Sequence, residues 1–328
     1  MTNIDYQCET GEQLFEALFK AKLIENAPPE VKNPLKCDTR ILTNEFKFGD
    51  VFEISGKTGT GKSELIIHLI ASFLLPGKWI IDVKIENDVK KVEIDLKKWS
   101  FFPDLSQHQL KLKVILIEND FKFNILKMFS LLELRIKYCI KLKQQSGDPL
   151  ASKLSRSSLE NFIKSCLENL IVYKCNTSEQ FLLTIASCEH SIKQEQQQQA
   201  KMQNISNFFM PIFIDSINSN FQFIDPLLMN SVDHTEKFTV SLINRILGKL
   251  KNNIVIFASR NEYEPSTNKY ETNTYSCPKW QKIVTKQIKL QKLLNDKFKL
   301  VNFVGEEYLF KIDNYGLTYV EGEEASKK

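Results

Sequence analysis

Residues Gly56 to Ser63 read Gly-Lys-Thr-Gly-Thr-Gly-Lys-Ser. The octapeptide matches G-x-x-x-x-G-K-[ST], the phosphate-binding loop. Its flanks constrain the fold more than the motif does. Asp50 to Ser55 is short and β-prone, and Glu64 to Leu75 is an apolar stretch of helix length stopped by Pro76-Gly77. Strand, glycine turn, helix is the setting in which backbone N–H groups curl around phosphate oxygens and a helix N-terminus adds partial positive charge. The pattern predicts that Gly56, Lys57, Thr58, Gly59, Thr60 and Gly61 cradle a triphosphate. Lys62 would reach the β- and γ-phosphates, and the Ser63 hydroxyl would ligate Mg²⁺. ATP and Mg²⁺ are the cofactors this chemistry calls for.

Such a loop needs an acid to steady its metal ion. Phe209 to Ile214 is an apolar run ending in Asp215. A carboxylate at the end of a buried parallel strand can hold Mg²⁺ through a water beside Ser63. Hydrolysis also needs a group that deprotonates the attacking water. Lys113 to Ile117 is a second apolar run, and Glu118 or Asp120 at its end is the candidate.

The rest of the chain alternates strand and helix. Helices are expected over 124–143, 159–167, from Thr177 to His190 behind a capping box with Gln180, and over 237–250. Strands are expected over 170–173, from Pro211, and over 254–258. Trp280 to Leu290 and Val301 to Val320 look like antiparallel strands, with turns at Gly305 and Asn314-Tyr315-Gly316. The fold class is therefore α/β: a mainly parallel sheet flanked by helices, with antiparallel strands at the C-terminal end. Residues 1–45 read as an N-terminal arm carrying a helix from Glu12 to Phe19, and 46–328 as one core. Residues 77–112 alternate apolar and charged positions, as in a β-rich or loose surface insertion. Residues 191–207 contain a glutamine tract, read as a loop or frayed end.

Composition excludes little. The 328 residues carry a net charge of +4, which permits a local basic patch but does not single out nucleic acid. No stretch approaches the ~20 apolar residues of a membrane span. The N-terminus lacks the basic start and apolar core of a secretory signal. The seven cysteines form no C-x-x-C pair, so buried thiols are expected rather than zinc ligands or disulfides.

Several segments taken in order resemble the RecA family of recombinases, and in particular its eukaryotic paralogues. They are Glu9 to Leu14, Gly49 to Glu64, Ile115 to Phe123, Ile214 to Asn218 and Cys277 to Lys282. The resemblance implies a RecA-like phosphate-loop NTPase core. It implies hetero-oligomers with other recombinase paralogues, single-stranded or branched DNA as a partner, and a nuclear location. It places the family's catalytic glutamate position on Asp120, with Glu118 two residues before. Asp is one methylene shorter, and a 1 Å misplacement of a general base can cost ~10²-fold. ATP binding with weak or absent hydrolysis is the expectation. The family's DNA-facing loops would fall at 225–236 and 260–276. For Arg260, a contact to phosphate or DNA and a solvated loop arginine stay open. Lys90-Lys91, Lys97-Lys98 and Trp99 could add a basic aromatic surface.

Two other functions stay open: an active DNA-stimulated ATPase working as a recombinase motor, and an unrelated phosphate-loop kinase acting on a small molecule. The kinase fits least, because no compact arginine-rich lid segment is present.

Overall fold

The computed structural model describes residues 8–10, 47–85, 88–106, 112–146, 154–200, 209–218, 229–250, 254–262, 278–293, 297–313 and 316–319. The expected helix at 12–19 lies outside them. Strand β1 (Cys8–Thr10) is followed by β2 (Val51–Gly56), α1 (Lys62–Leu74), β3 (Pro76–Ile85), β4 (Asp88–Asp95), β5 (Phe102–Ser106) and β6 (Val114–Glu118). Then come α2 (Ile125–Gln145), α3 (Arg156–Leu167), β7 (Leu170–Lys174), α4 (Ser178–Ala200), β8 (Met210–Asp215), α5 (Met229–Leu250) and β9 (Ile254–Asn261). The chain closes with α6 (Pro278–Ile283), β10 (Lys286–Lys292), β11 (Lys297–Val301), β12 (Glu307–Asp313) and β13 (Gly316–Tyr319).

The main sheet has 10 strands in the order β1-β7-β6-β8-β9-β2-β10-β11-β12-β13. From β7 to β10 every neighbouring pair is parallel. The last strands pair antiparallel, and so does β1 at the other edge. The α/β architecture read from the sequence is therefore the one found, a RecA-like core. The central strands are buried on both faces, which is why they read as continuous apolar runs.

Alternate side chains serve opposite sides. Phe52, Phe213 and Phe257 join one core cluster with α1, α2 and α3, while Val51, Ile212 and Ile256 join another with α4, α5 and α6. On the first side aromatic rings stack across strands, with centroids 4.7 Å apart for Phe52–Phe257 and 4.8 Å for Phe213–Phe257. Their spacing is that of favourable offset contacts.

Local signals explain the helix ends. The Asn124 side chain accepts from the Leu126 and Lys127 amides. Thr177 accepts from the Gln180 amide at 3.2 Å, while the Gln180 side chain accepts from the Asn176 amide at 2.7 Å. Both satisfy amides that a helix start leaves open. Glu189 on α4 holds Lys193 of its own helix, and Arg245 and Lys249 of α5, at 2.7 to 2.9 Å.

Three expectations change. Of the two readings of residues 77–112, the described ones bear out the β-rich one and not the loose surface one. Strands β3, β4 and β5 form their own sheet in the order β4-β3-β5. Its Trp79, Val92, Ile94 and Trp99 are buried in the first core cluster, and Trp79 stacks on Phe162 at 4.4 Å. Trp99 is therefore not part of an exposed basic aromatic surface. The glutamine tract continues α4 through Ala200 instead of forming a loop from 191; Gln is a good helix former and no Gly or Pro interrupts it. Trp280 begins no strand. It sits in the short helix α6; β10 pairs antiparallel with β11, as expected, and on its other edge parallel with β2.

Among the described residues no helix is long and apolar enough to cross a membrane. The described cysteines at 139, 166, 175 and 188 are buried and form no disulfide, and burial pushes the Cys166 thiol up to about 12.

Candidate functional site

The site lies at the carboxyl ends of the parallel strands, where open α/β sheets place their ligands. The loop from Gly56 to Gly61 leaves β2 there and enters α1. Gly61 takes φ 88° as the N-terminal cap, with no side-chain cap bond, so the first amides of the 13-residue α1 are not covered by a side chain. Gly56 shows why no larger residue fits. A Cβ on it would stand 2.5 Å from the Leu290 carbonyl oxygen of β10 and 2.7 Å from Thr60 Oγ1. Thr60 is buried and donates its hydroxyl to the Lys57 carbonyl at 2.8 Å, tightening the loop. Lys57 and Thr58 stand out on its exposed rim with Gly59.

Lys62 folds over this loop. Its ammonium donates to the Gly56 carbonyl at 2.8 Å and to the Lys57 carbonyl at 2.7 Å. Burial pulls the group down to about 8, against the opposing pull of Asp215. An ammonium has three donors, so two are used by the loop itself. The Ser63 hydroxyl is hydrogen-bonded to Asp215. Asp215 also accepts from Ser259 Oγ at 2.5 Å. Burial raises the Asp215 carboxyl, while Ser259 and Ser63 hold it down. Thus the adjacent Lys62 and Ser63 meet Asp215, which lies far away in the sequence.

The two acids of the neighbouring strand have different surroundings. Register pairs Glu118 with Asp215, and the Asn119 amide donates to the Asp215 carbonyl at 2.7 Å. Yet Glu118 Oε1 turns away to accept from the amides of Lys122 and Phe123. Its burial raises the carboxyl and those amides lower it. Glu118 therefore braces the turn after β6. Asp120 is partly buried and is paired with the half-exposed Lys122 at 2.8 Å. The charge of Asp120 acts on both Lys62 and Asp215.

Arg260 is neither a solvated loop residue nor at the start of a loop. It lies on β9 with Nη1 3.6 Å from Glu53 Oε2. Glu53 is buried and also accepts from Trp280 Nε1 at 2.5 Å and Gln287 Nε2 at 2.8 Å. This network fastens α6 and β10 to the phosphate-loop strand. Sequence reasoning missed it, although a lone buried acid in a strand and a Trp needing an acceptor were both visible. A second missed feature is the asparagine clamp. Asn218 and Asn261 exchange side-chain-to-backbone bonds at 2.9 and 3.0 Å, tying the ends of β8 and β9 together. Residues 219–228 and 263–277 lie outside the described residues, and so do most of the two expected DNA-facing loops. Residues 229–236 of the first belong to α5.

The donor set fits a nucleoside triphosphate with Mg²⁺: a glycine cradle, one ammonium, one hydroxyl and one carboxylate. Among the described residues no cluster of His, Cys, Asp and Glu makes a separate metal site.

No protein-family model matches the chain. It is 24% identical over 257 residues to DNA repair protein XRCC2 of Mus musculus, covering 73% of this chain and 71% of that one. Fold, order of motifs and this similarity agree: the chain resembles the RecA-like recombinase paralogues.

Proposed function

We propose that this protein is an ATP- and Mg²⁺-binding subunit that supports DNA double-strand break repair by homologous recombination. It does so in the nucleus, in a hetero-oligomer with other recombinase paralogues and on single-stranded or branched DNA. The observation that carries the nucleotide part is the convergence of Lys62, Ser63 and Asp215 on the glycine cradle. The similarity to a DNA repair protein supports the rest.

In this reading the amides of residues 57–63 wrap the phosphates. Lys62 exchanges its two carbonyl partners for phosphate oxygens, and Ser63 with Asp215 holds the metal. Bound Mg²⁺ would neutralise phosphate charge. Of Glu118 and Asp120, the latter is the one left to orient a water, and its short side chain is tied to Lys122. Slow or absent hydrolysis follows, with nucleotide acting mainly as a ligand that stabilises the state it binds.

The test is nucleotide affinity of the Lys62→Ala variant. A charge-assisted contact to phosphate contributes roughly 1.5–3 kcal/mol, so affinity should fall about ten- to hundredfold. Unaltered affinity would reject the assignment of the loop. Turnover near ~1 s⁻¹ with single-stranded DNA, the ordinary enzyme range, would favour the motor instead.

A further inference from the structure

We propose that Lys122 is a second phosphate-binding cation of this site, one that distinguishes a nucleoside triphosphate from a diphosphate by leaving Asp120 for the terminal phosphate. The inference rests on the nucleotide reading above.

Three observations place Lys122 there. The turn from Glu118 to Asn124 is anchored to the metal-side strand, because the Asn119 amide donates to the Asp215 carbonyl at 2.7 Å and Asn119 Nδ2 donates to the Ser216 carbonyl at 2.8 Å. The turn is also held open at an unfavourable angle. Phe121 has φ 54°, and its ring is 60% exposed. A bulky residue in the left-handed region is strained and persists only where its surroundings enforce it. Glu118 supplies that enforcement, its buried carboxylate accepting from the Lys122 and Phe123 amides. No apolar contact accounts for the conformation, since Phe121 points to solvent. Asp120 and Lys122 stand on either side of it in the chain. Finally, the Lys122 side chain is half-exposed, with its ammonium on Asp120 Oδ2 at 2.8 Å. The charge of Lys122 already acts on both Lys62 and Asp215.

An ion pair whose lysine reaches solvent, 52% exposed against 12% for Asp120, is weak. Its release costs little. The terminal phosphate of a triphosphate carries more negative charge than one carboxylate and offers several acceptor oxygens. It therefore competes well for the ammonium. A diphosphate ends one phosphate short and leaves Lys122 on Asp120. The same exchange frees the Asp120 carboxylate only when a triphosphate is present.

The experiment compares binding of a non-hydrolysable ATP analogue and of ADP, each with Mg²⁺, to the full-length protein by calorimetry. Wild type, Lys122→Met, Lys122→Arg and Lys62→Ala are used. Lys122→Met should bind the triphosphate analogue about ten- to hundredfold more weakly and ADP unchanged. Lys122→Arg, which keeps the charge, should retain the preference. Equal losses for both nucleotides, or no loss, in Lys122→Met overturn the proposal while leaving the phosphate loop intact. If Lys62→Ala binds both nucleotides like wild type, the phosphate-loop reading itself fails, and with it the role of Lys122.

Discussion

Helix α1 has buried cations at two places, and they behave as opposites. At its N-terminal end lies Lys62, held by two loop carbonyls and facing the mouth of the site. Halfway along lies Arg135, reaching across from α2. Arg135 is 1% exposed. Its guanidinium bonds Ser72 Oγ at 3.0 Å and His68 Nδ1 at 2.9 Å, and its Cζ stands 5.2 Å from the centre of the Trp99 ring. The Lys62 ammonium is poised for exchange, because its partners are two carbonyls of a loop that a ligand could replace. Arg135 is closed in, because its partners are side chains fixed by packing. Burial alone does not mark a functional cation; access to an incoming partner does.

The largest expected effect probes the closed end. Arg135→Ala should lower the free energy of unfolding by about 3–5 kcal/mol, from the cavity and the broken polar network. Urea denaturation would measure it. A loss under ~1 kcal/mol would mean the cluster is not structural.

Acid should reach the same cluster next. Burial, then Arg135 and Lys127, hold His68 well below its usual range, so it is neutral when folded. The unfolded chain takes up a proton there and the folded one does not. Stability is therefore full above the unfolded pKa of ~6.5 and falls as pH drops below it, by about 1.4 kcal/mol at pH 5.5. In His68→Gln that part of the acid limb should flatten, read from unfolding midpoints between pH 7 and 5.5.

At the open end, Lys62→Met should change stability without nucleotide by less than ~1 kcal/mol, since a lost pair of hydrogen bonds is offset by removing a desolvated charge. A stability loss as large as that of Arg135→Ala would erase the distinction between the two cations. The smallest effect belongs to Glu189, which its lysine partners hold at about 2. Glu189→Gln should cost ~0.5–1 kcal/mol near neutral pH. That contribution should vanish on acidification from the unfolded carboxylate range toward pH 2, because protonating Glu189 removes the same charge.

Much of this was legible in the chain itself. The phosphate loop, the strand ending at Asp215 and the parallel sheet depend on local periodicity and short spacings. What escaped notice depended on distant partners. Trp280 was read as a strand residue, yet its indole meets Glu53, 227 residues away. The alternation in β3 and β4 was visible, but not that its apolar side would meet Phe162 and the core. Glu118 and Asp120 both end the second strand. Only the backbone turn at Phe121, φ 54°, separates a brace from an acid facing the site.

One contact links the chain's final quarter to its first motif. The Leu290 carbonyl lies directly beneath Gly56, and the strand that carries it is followed by the hairpins of β11 to β13. Those hairpins serve as the keel of the glycine loop. Whatever twists or trims them would shift the floor on which that loop rests.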